Sequence, residues 1–380
     1  MKAPKKILIA YATAGIGHKK ASLAIKEALE NGGWDAEVKT IDVLDYTPAF
    51  FRRHYPSFYL VLINRLIWLW WVLYRVSDMR FLFPVIYPVR KMLHVMNCAP
   101  LIKFLLEFKP DVILSTHFML PDVCDYAAKK FGFKTRLINV VTDYRAHSFW
   151  VSEGADEYFV AHEETKKDLT RKWGVRADCV KVTGIPVEPK FSKPHDREAA
   201  RAKIGVGKGD LSLLLMSGGY GVGPIFEMLV MLNSLRADLS LIVVCGHNAP
   251  LWKKVEDFKK RADSGINIIN FGYVDNIDEL MAASDVYVGK AGGISTTEAL
   301  VMGLPLVLVS PIPGQESGNA GLLIKNGSAV LLDNVSDIKK TVSRFKTSEG
   351  YLAGLRENIK KVARPESAKR IAEYAAKPGA

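Results

Sequence analysis

Residues 270–319 read NFGYVDNIDELMAASDVYVGKAGGISTTEALVMGLPLVLVSPIPGQESGN, and this stretch decides the fold. Val286, Tyr287 and Val288 make a short apolar strand, Lys290-Ala291-Gly292-Gly293 a turn of small side chains, and Ser295-Thr296-Thr297-Glu298 opens an apolar helix. A helix start behind glycines leaves backbone N–H groups and the positive end of the dipole available to an anion, most often a phosphate. A second unit follows at once, a strand at 306–309 and then a loop. Its Gln315, Glu316 and Asn319 would project at the strand's carboxyl end, where open α/β sheets bind ligands. Ser295-x-x-Glu298 equally spells a capping box, in which Glu298 merely closes the helix start. Gln315, Glu316 and Asn319 equally suit an ordinary polar loop.

Working outward, the same alternation of strand, turn and helix recurs. Residues 6–12 read as a buried strand, 13–18 as a turn and 19–30 as a helix with Ala21, Ala24, Ile25, Ala28 and Leu29 on one face. Lys20 stands where a dinucleotide fingerprint needs a small residue, so Gly15-x-Gly17 is not one. Strands are expected at 35–43, 111–115, 136–141, 157–160 and 179–182, which favours a doubly wound parallel sheet. Residues 183–194 hold three prolines and break every periodicity, reading as a linker. A second sheet then starts at 211–216, followed by a Gly-rich turn and by a strand at 239–245 that ends in Gly246-His247-Asn248.

The expected architecture is α/β, two Rossmann-like doubly wound domains. Residues 1–185 form the first, 186–354 the second, and a basic helical tail at 355–380 crosses back to the first. Two domains also suit a length of 380 residues. The composition, 49% hydrophobic and 24% charged, excludes a disordered chain. A net charge of +12 calls for an anionic partner. Cys98, Cys124, Cys179 and Cys245 show neither metal-ligand nor C-x-x-C spacing, so small core residues in a reducing compartment are expected. The opening MKAPKK before an apolar run mimics a signal peptide, but the run is short and reads as a first strand.

Residues 50–93 are unlike the rest. Aromatics such as Phe50, Phe58 and Phe81 crowd together with Trp68, Trp70 and Trp71, among Arg52, Arg53, Arg65, Arg75, Arg80, Arg90 and Lys91. A membrane span needs about 20 apolar residues; the best candidate, 58–74, has 17 and is cut by Asn64-Arg65. Aromatics that favour the headgroup layer and cations that favour anionic lipid point to a helix lying in the interface. An internal core helix is the competing reading. Arginines with stacking aromatics also bind single strands, but the run LIWLWWVLY at 66–74 is too apolar for a wetted groove, and no nucleic-acid partner is expected.

Gly15-Ile16-Gly17-His18, Thr116-His117, Thr142-Asp143-Tyr144-x-x-His147, Gly218-Gly219-x-Gly221-x-Gly223, Lys290-Ala291-Gly292-Gly293 and Pro313-Gly314-Gln315-Glu316-x-x-Asn319 together resemble the family of monogalactosyldiacylglycerol synthase and bacterial diacylglycerol glucosyltransferase. These are inverting GT-B glycosyltransferases, related to the peptidoglycan N-acetylglucosaminyltransferase. The resemblance implies a two-domain fold with a UDP-sugar site in the second domain. Backbone at Phe271, Tyr273 and Val274 would meet uracil, and Glu298 the ribose. Gly218, Gly219, Gly293, Ile294 and Ser295 would meet the diphosphate, and Gln315, Glu316 and Asn319 the hexose; Gly221, Asn248, Lys290 and Gly292 belong to the same motifs. His247 departs from the family's usual Arg or Lys after Cys-Gly and replaces a permanent cation by one that titrates near neutrality.

Inversion requires a base for the acceptor hydroxyl and stabilisation of charge on the leaving diphosphate. His18, expected in a turn facing the interdomain cleft, is the first candidate, with Asp143, His117 and His147 behind it. Tyr11, Ala12 and Thr13 stand where plant members carry an Asp, so no Asp from that loop can assist. A turn-capping Asp143 and structurally bonded histidines are the alternatives. No metal and no cofactor are expected beyond the donor. The implied activity moves a hexose from UDP-glucose or UDP-galactose to 1,2-diacylglycerol. The expected place is the cytoplasmic face of a bacterial cell membrane, held peripherally to an anionic surface through Arg65, Trp68, Trp70 and Trp71. A polyprenol-linked acceptor, a soluble UDP-sugar epimerase and a membrane-docking nucleotide-sugar sensor remain open alternatives.

Overall fold

The computed structural model describes residues 4–13, 15–216, 218, 221, 223–235, 238–262, 265–348 and 350–377. The chain divides into two compact units. One holds residues up to Pro189 with Pro313–Gln315 and the tail from Arg364, the other Lys190–Ile312 with Glu316–Ala363.

The first unit carries a six-stranded sheet of β1 (Lys5–Tyr11), β2 (Ala36–Asp42), β3 (Val112–Ser115), β4 (Arg136–Val140), β5 (Glu157–Val160) and β6 (Val180–Val182). All neighbours are parallel, in the order β2-β1-β3-β4-β5-β6. Parallel sheets are covered on both faces, and β1 alternates accordingly. Leu8 and Ala10 join one buried cluster with Leu101, Leu105 and Leu120, while Ile7 and Ile9 join another with Ile25 and Ile371. The second unit repeats the plan with β7 (Leu211–Met216), β8 (Leu239–Val244), β9 (Asn267–Phe271), β10 (Val286–Gly289), β11 (Leu306–Val309) and β12 (Ala329–Leu332), ordered β12-β11-β10-β7-β8-β9. In each sheet the order reverses once, between β1 and β3 and between β7 and β10. Loops at the carboxyl ends of such a pair diverge to opposite faces and leave a crevice for a ligand.

Several expectations shift. The break between units falls at Pro189/Lys190, later than 185/186, because residues up to Pro189 still cluster with the first unit. The tail that returns to the first unit starts at Arg364, not at 355. Leu355 of the helix Tyr351–Val362 belongs to the second unit's core, whereas Ile371, Ala372 and Ala375 of the helix Ser367–Ala376 belong to the first unit's. That last helix is pinned by Tyr374, whose hydroxyl donates to Glu157 Oε2 (2.6 Å) under the Arg136 guanidinium. Cys98, Cys124 and Cys245 are buried, and burial pushes the thiols of Cys98 and Cys245 up to about 12 and about 11.

The aromatic segment is not one helix. The helices Ala49–Arg65 and Ile67–Ser77 meet at Leu66 with a bend of 112°, and no single helix among the described residues is long and apolar enough to cross a membrane. Trp68 and Trp71 are exposed (65% and 46%), as are Arg65, Phe50 and Phe58. Trp70 is not a surface residue of that kind: it turns in between Tyr59 (5.3 Å) and Tyr74 (5.6 Å), because its position in the short second helix faces the first. The exposed apolar surface also runs past residue 93, along the helix Phe83–Asn97 through Val85, Val89, Met92 and Met96.

Candidate active site

The helix after β1 begins at Ile16, so His18 sits in its first turn and not in a preceding loop. Its Nδ1 lies 2.6 Å from the Thr116 carbonyl at the end of β3, with the Thr142 hydroxyl at 3.2 Å. A carbonyl can only accept, so Nδ1 carries the proton and Nε2 presents a lone pair. Ser22 Oγ and Thr116 Oγ1, 2.9 Å apart, tie the same helix to the β3 loop. The switch point between β1 and β3 therefore fixes one tautomer of one imidazole. Burial lowers the His18 pKa from its ordinary value, and Asp143 opposes that shift.

Asp143, 6% exposed, accepts from Trp150 Nε1 at 3.0 Å. The indole of Trp150 stands 6.1 Å from the His18 ring, and the His117 ring meets His18 edge-on at 4.9 Å. His117 is buried, stacked on Phe118, and accepts the Met119 N–H at its Nδ1 (3.2 Å). Burial holds its pKa well below the ordinary value, so it is a neutral wall beside His18.

His147 is not available as a base. Its Nδ1 accepts from the Phe149 N–H (3.1 Å) and its Nε2–H donates to the Tyr74 carbonyl (2.9 Å), which uses both ring nitrogens; burial pushes its pKa down to about 4. Of the four proposed catalytic residues, the structure gathers His18, His117 and Asp143 around one imidazole edge and makes His147 a clasp on the aromatic insert. Thr116 and Thr142, which orient His18, stood in the sequence motifs without an assigned task. Trp150 carried no signal beyond its place seven residues after Asp143.

On the second unit the motif loops all leave the carboxyl ends of adjacent strands. Gly292 caps the helix Gly293–Val301, and Thr296 N is the first N–H to bond back, to Gly292 O at 3.1 Å. The N–H groups of Gly293, Ile294 and Ser295 thus precede the helix's own hydrogen bonding and face the β10 end. This also removes the capping-box reading. Ser295 is the third helical residue, not the cap, and Glu298 is a buried residue (1% exposed) of the second turn.

Across the switch point, Gly221 has φ +57 and an added Cβ would meet the Cys245 carbonyl at 2.1 Å, so only glycine fits. Gly218 shares the positive φ; Gly219 lies outside the described residues. His247 and Tyr273 stack at 4.3 Å and 13°, an exposed aromatic platform beyond β8 and β9 beside Phe271 and Val274. Lys290 is half-buried at the end of β10.

Three of the residues expected to meet the donor also bond to the protein. Asn248 caps the helix Ala249–Lys259 by accepting from Leu251 N (3.0 Å) and donates to Gly221 O (3.0 Å). Asn319, fully buried, donates to Ala291 O (3.0 Å) and braces the 290–293 turn. Glu316 Oε2 accepts from Ile312 N (2.8 Å) and shapes its own loop. Gln315 opens that helix but clusters with the first unit. Among the described residues no group of three His, Cys, Asp or Glu side chains is placed to hold a metal ion. A separate cleft of 580 Å³, lined by His195, Arg197, Asp285 and Arg356, lies at the opposite ends of β10 and β11.

Two doubly wound units with these loops at their strand ends define a GT-B fold. Solved structures agree at the level of the fold. MurG from Acinetobacter baumannii superposes with a TM-score of 0.65 at 14% identity, covering 98% of this chain and 99% of its own. The UDP complex of MnaA from S. aureus does so at 0.61 and 15%, covering 97% and 95%. Residues 18–187 match the model of monogalactosyldiacylglycerol (MGDG) synthase, and residues 226–370 that of the glycosyltransferase family 28 C-terminal domain. The processive diacylglycerol β-glucosyltransferase of Bacillus pumilus is 33% identical over 264 residues, 70% of this chain and 68% of that protein. The chain belongs to this family of diacylglycerol glycosyltransferases, and the matched region spans about two thirds of its relative's length.

Proposed function

We propose that the protein transfers glucose from UDP-glucose to 1,2-diacylglycerol, with inversion at the anomeric carbon, at the surface of an anionic membrane. The observation that carries the chemistry is His18, with its Nδ1–H bound to the Thr116 carbonyl and its Nε2 left to accept a proton. In this reading Nε2 takes the proton of the lipid's free hydroxyl as that oxygen attacks C1 of the sugar. The bond from C1 to the diphosphate breaks from the opposite face, and the charge passes to UDP. The N–H groups of Gly293, Ile294 and Ser295 at the helix start receive that diphosphate, with no metal required. Tyr273 and His247 offer a stacking surface for the base, and Glu298 an acceptor for the ribose hydroxyls. The names of the relatives support glucose and diacylglycerol; the exposed aromatics and Arg65 of the insert support an anionic lipid surface.

The test is turnover of radiolabelled UDP-glucose and UDP-galactose, each with diacylglycerol in mixed micelles and in the presence of EDTA, followed by lipid extraction. A labelled glycolipid from UDP-glucose is expected. Label only from UDP-galactose corrects the sugar, loss of label on adding EDTA corrects the metal-free chemistry, and UDP-sugar binding without any labelled lipid overturns the acceptor.

Membrane attachment makes a separate prediction. Trp68→Ser with Trp71→Ser should release the protein from vesicles containing anionic lipid while leaving the fold intact, since both indoles are exposed and support no core. Each buried indole contributes on the order of 1–3 kcal/mol of partition energy, so the pair of substitutions should lower the partition constant by roughly 30-fold or more. Unchanged co-sedimentation would remove these residues from the membrane contact. Trp70→Ser should instead lower thermal stability, because that ring packs between Tyr59 and Tyr74.

A further inference from the structure

Arg90 belongs to the aromatic, cationic insert, yet its guanidinium does not face solvent. Its Nε and Nη2 fork onto Asp122 (3.0 and 3.1 Å), a fully buried carboxylate that also meets His94 Nδ1 (2.8 Å) and Ser152 Oγ (2.9 Å). Burial alone would raise the Asp122 pKa; His94 and Arg90 more than offset it and hold the carboxyl below its usual range. The anchored guanidinium then spends its other N–H bonds on the loop that follows Asp143. Nη1 donates to the carbonyls of Ser148 (3.2 Å) and Phe149 (3.0 Å), and Nη2 to that of Val151 (2.8 Å).

The end of the helix Ile67–Ser77 grips the same loop. The Ser148 hydroxyl donates to the Ser77 carbonyl (2.6 Å), and Ser148 N–H donates to Asp78 Oδ1 (2.9 Å). The loop thus hangs from the insert on one side. On the other it delivers Trp150, whose indole N–H holds Asp143 Oδ2.

We propose that Arg90 is a positioning residue for the transfer: acting through the loop 147–151, it keeps Trp150 where it fixes the Asp143 carboxylate beside His18. This rests on His18 being the base. Arginine suits the task because a planar fork anchored on one carboxylate can still aim donors at three carbonyls; a lysine ammonium carries the charge but not the plane. The titratable groups facing His18 are Asp143 from the β4 loop and His117 from the β3 loop, with Tyr55 of the helix Ala49–Arg65 behind the His117 ring (6.3 Å). Burial lowers the His18 pKa and Asp143 raises it. Loosening Asp143 therefore leaves burial less opposed, makes His18 a weaker base and moves the acid limb of kcat to lower pH.

The test is Arg90→Lys, which keeps a cation beside Asp122, read beside Trp150→Phe, which removes the indole N–H and leaves a smaller apolar ring. Both should retain the thermal transition of a folded protein, vesicle binding and the KM for UDP-glucose. Both should lower kcat by about 10- to 100-fold, the scale of a small misplacement, and shift its acid limb downward. A limb that stays in place in both variants, whether or not kcat falls, overturns the proposal, because a merely loosened fold lowers activity without moving a titration. His18→Ala in the same assay separates the two assignments. An inactive His18→Ala with unmoved limbs ends the role of Arg90 alone, and an active one removes the base as well.

Discussion

His18→Ala should reduce kcat by ~10²–10⁴-fold, the contribution of a positioned general base, without weakening UDP binding. Binding is spared because the donor loops belong to the second unit, while His18 is held by Thr116 and Thr142 of the first. The residual rate comes from whatever orientation and electrostatic stabilisation the donor loops supply. The pH dependence has a definite sign. Under the proposed function catalysis needs the neutral imidazole, and burial lowers its pKa against the opposing pull of Asp143. The acid limb of kcat therefore falls below the ordinary histidine value of 6.5, and the wild type stays active in mildly acidic buffer where an unperturbed histidine would be mostly protonated. Measuring kcat from acid to neutral pH for the wild type and His18→Ala checks both parts. A variant that keeps its activity moves the base elsewhere, and Asp143 is then the group to replace.

The fold was legible because parallel sheets announce themselves. The central strands β3, β8, β10 and β11 are short apolar runs whose residues are all buried, and β7 is buried at all but its first. Residues 211–216 and 306–309 coincide with β7 and β11 for that reason. What failed was what depends on contacts between distant residues. Leu66 carries no helix-breaking signal, so the 112° bend after Arg65 had no local mark, and with it the inward turn of Trp70 was lost. The spacing Ser295-x-x-Glu298 is a capping box only if Ser295 is the cap; two glycines let the helix begin earlier, and one turn of displacement changes the meaning of Glu298.

The candidate site divides along the same line. Glycine positions such as Gly221 were readable because a backbone that approaches the Cys245 carbonyl at van der Waals distance admits nothing larger. The polar residues were recognised by type, but type does not say which partner a side chain takes. Asn248 and Asn319 turned to carbonyls of neighbouring loops, Gly221 and Ala291, and His147 to the Tyr74 carbonyl. Arg90 and Lys91 were counted in the sequence among seven cations favouring anionic lipid, yet they turn inward to the buried carboxylates Asp122 and Asp125. A charge pattern can show that a surface is basic; it cannot show which member of the pattern is buried with a carboxylate twenty or more residues away.

Glu298→Gln is the second large effect. Under the proposed function this carboxylate accepts from the ribose hydroxyls and the helix's first N–H groups meet the diphosphate; Glu298 sits one turn inside that helix, past the cap position, and only 1% of it is exposed. In such a dry site a hydrogen bond to a charged group contributes about 1.5–3 kcal/mol, so the neutral amide should weaken UDP binding by roughly 10- to 150-fold. Glutamine has the same shape and reach, and the thermal transition should stay within a few degrees of the wild type. The decisive comparison uses 2′-deoxy-UDP and 3′-deoxy-UDP. The wild type should bind at least one of them more weakly than UDP, whereas Glu298→Gln, having lost the charge that rewards the hydroxyl, should discriminate far less. If the variant keeps the wild-type preference for the intact ribose, Glu298 serves the helix and the ribose is read elsewhere on the second unit. If affinity and discrimination fall together while the fold holds, the buried carboxylate is the ribose contact.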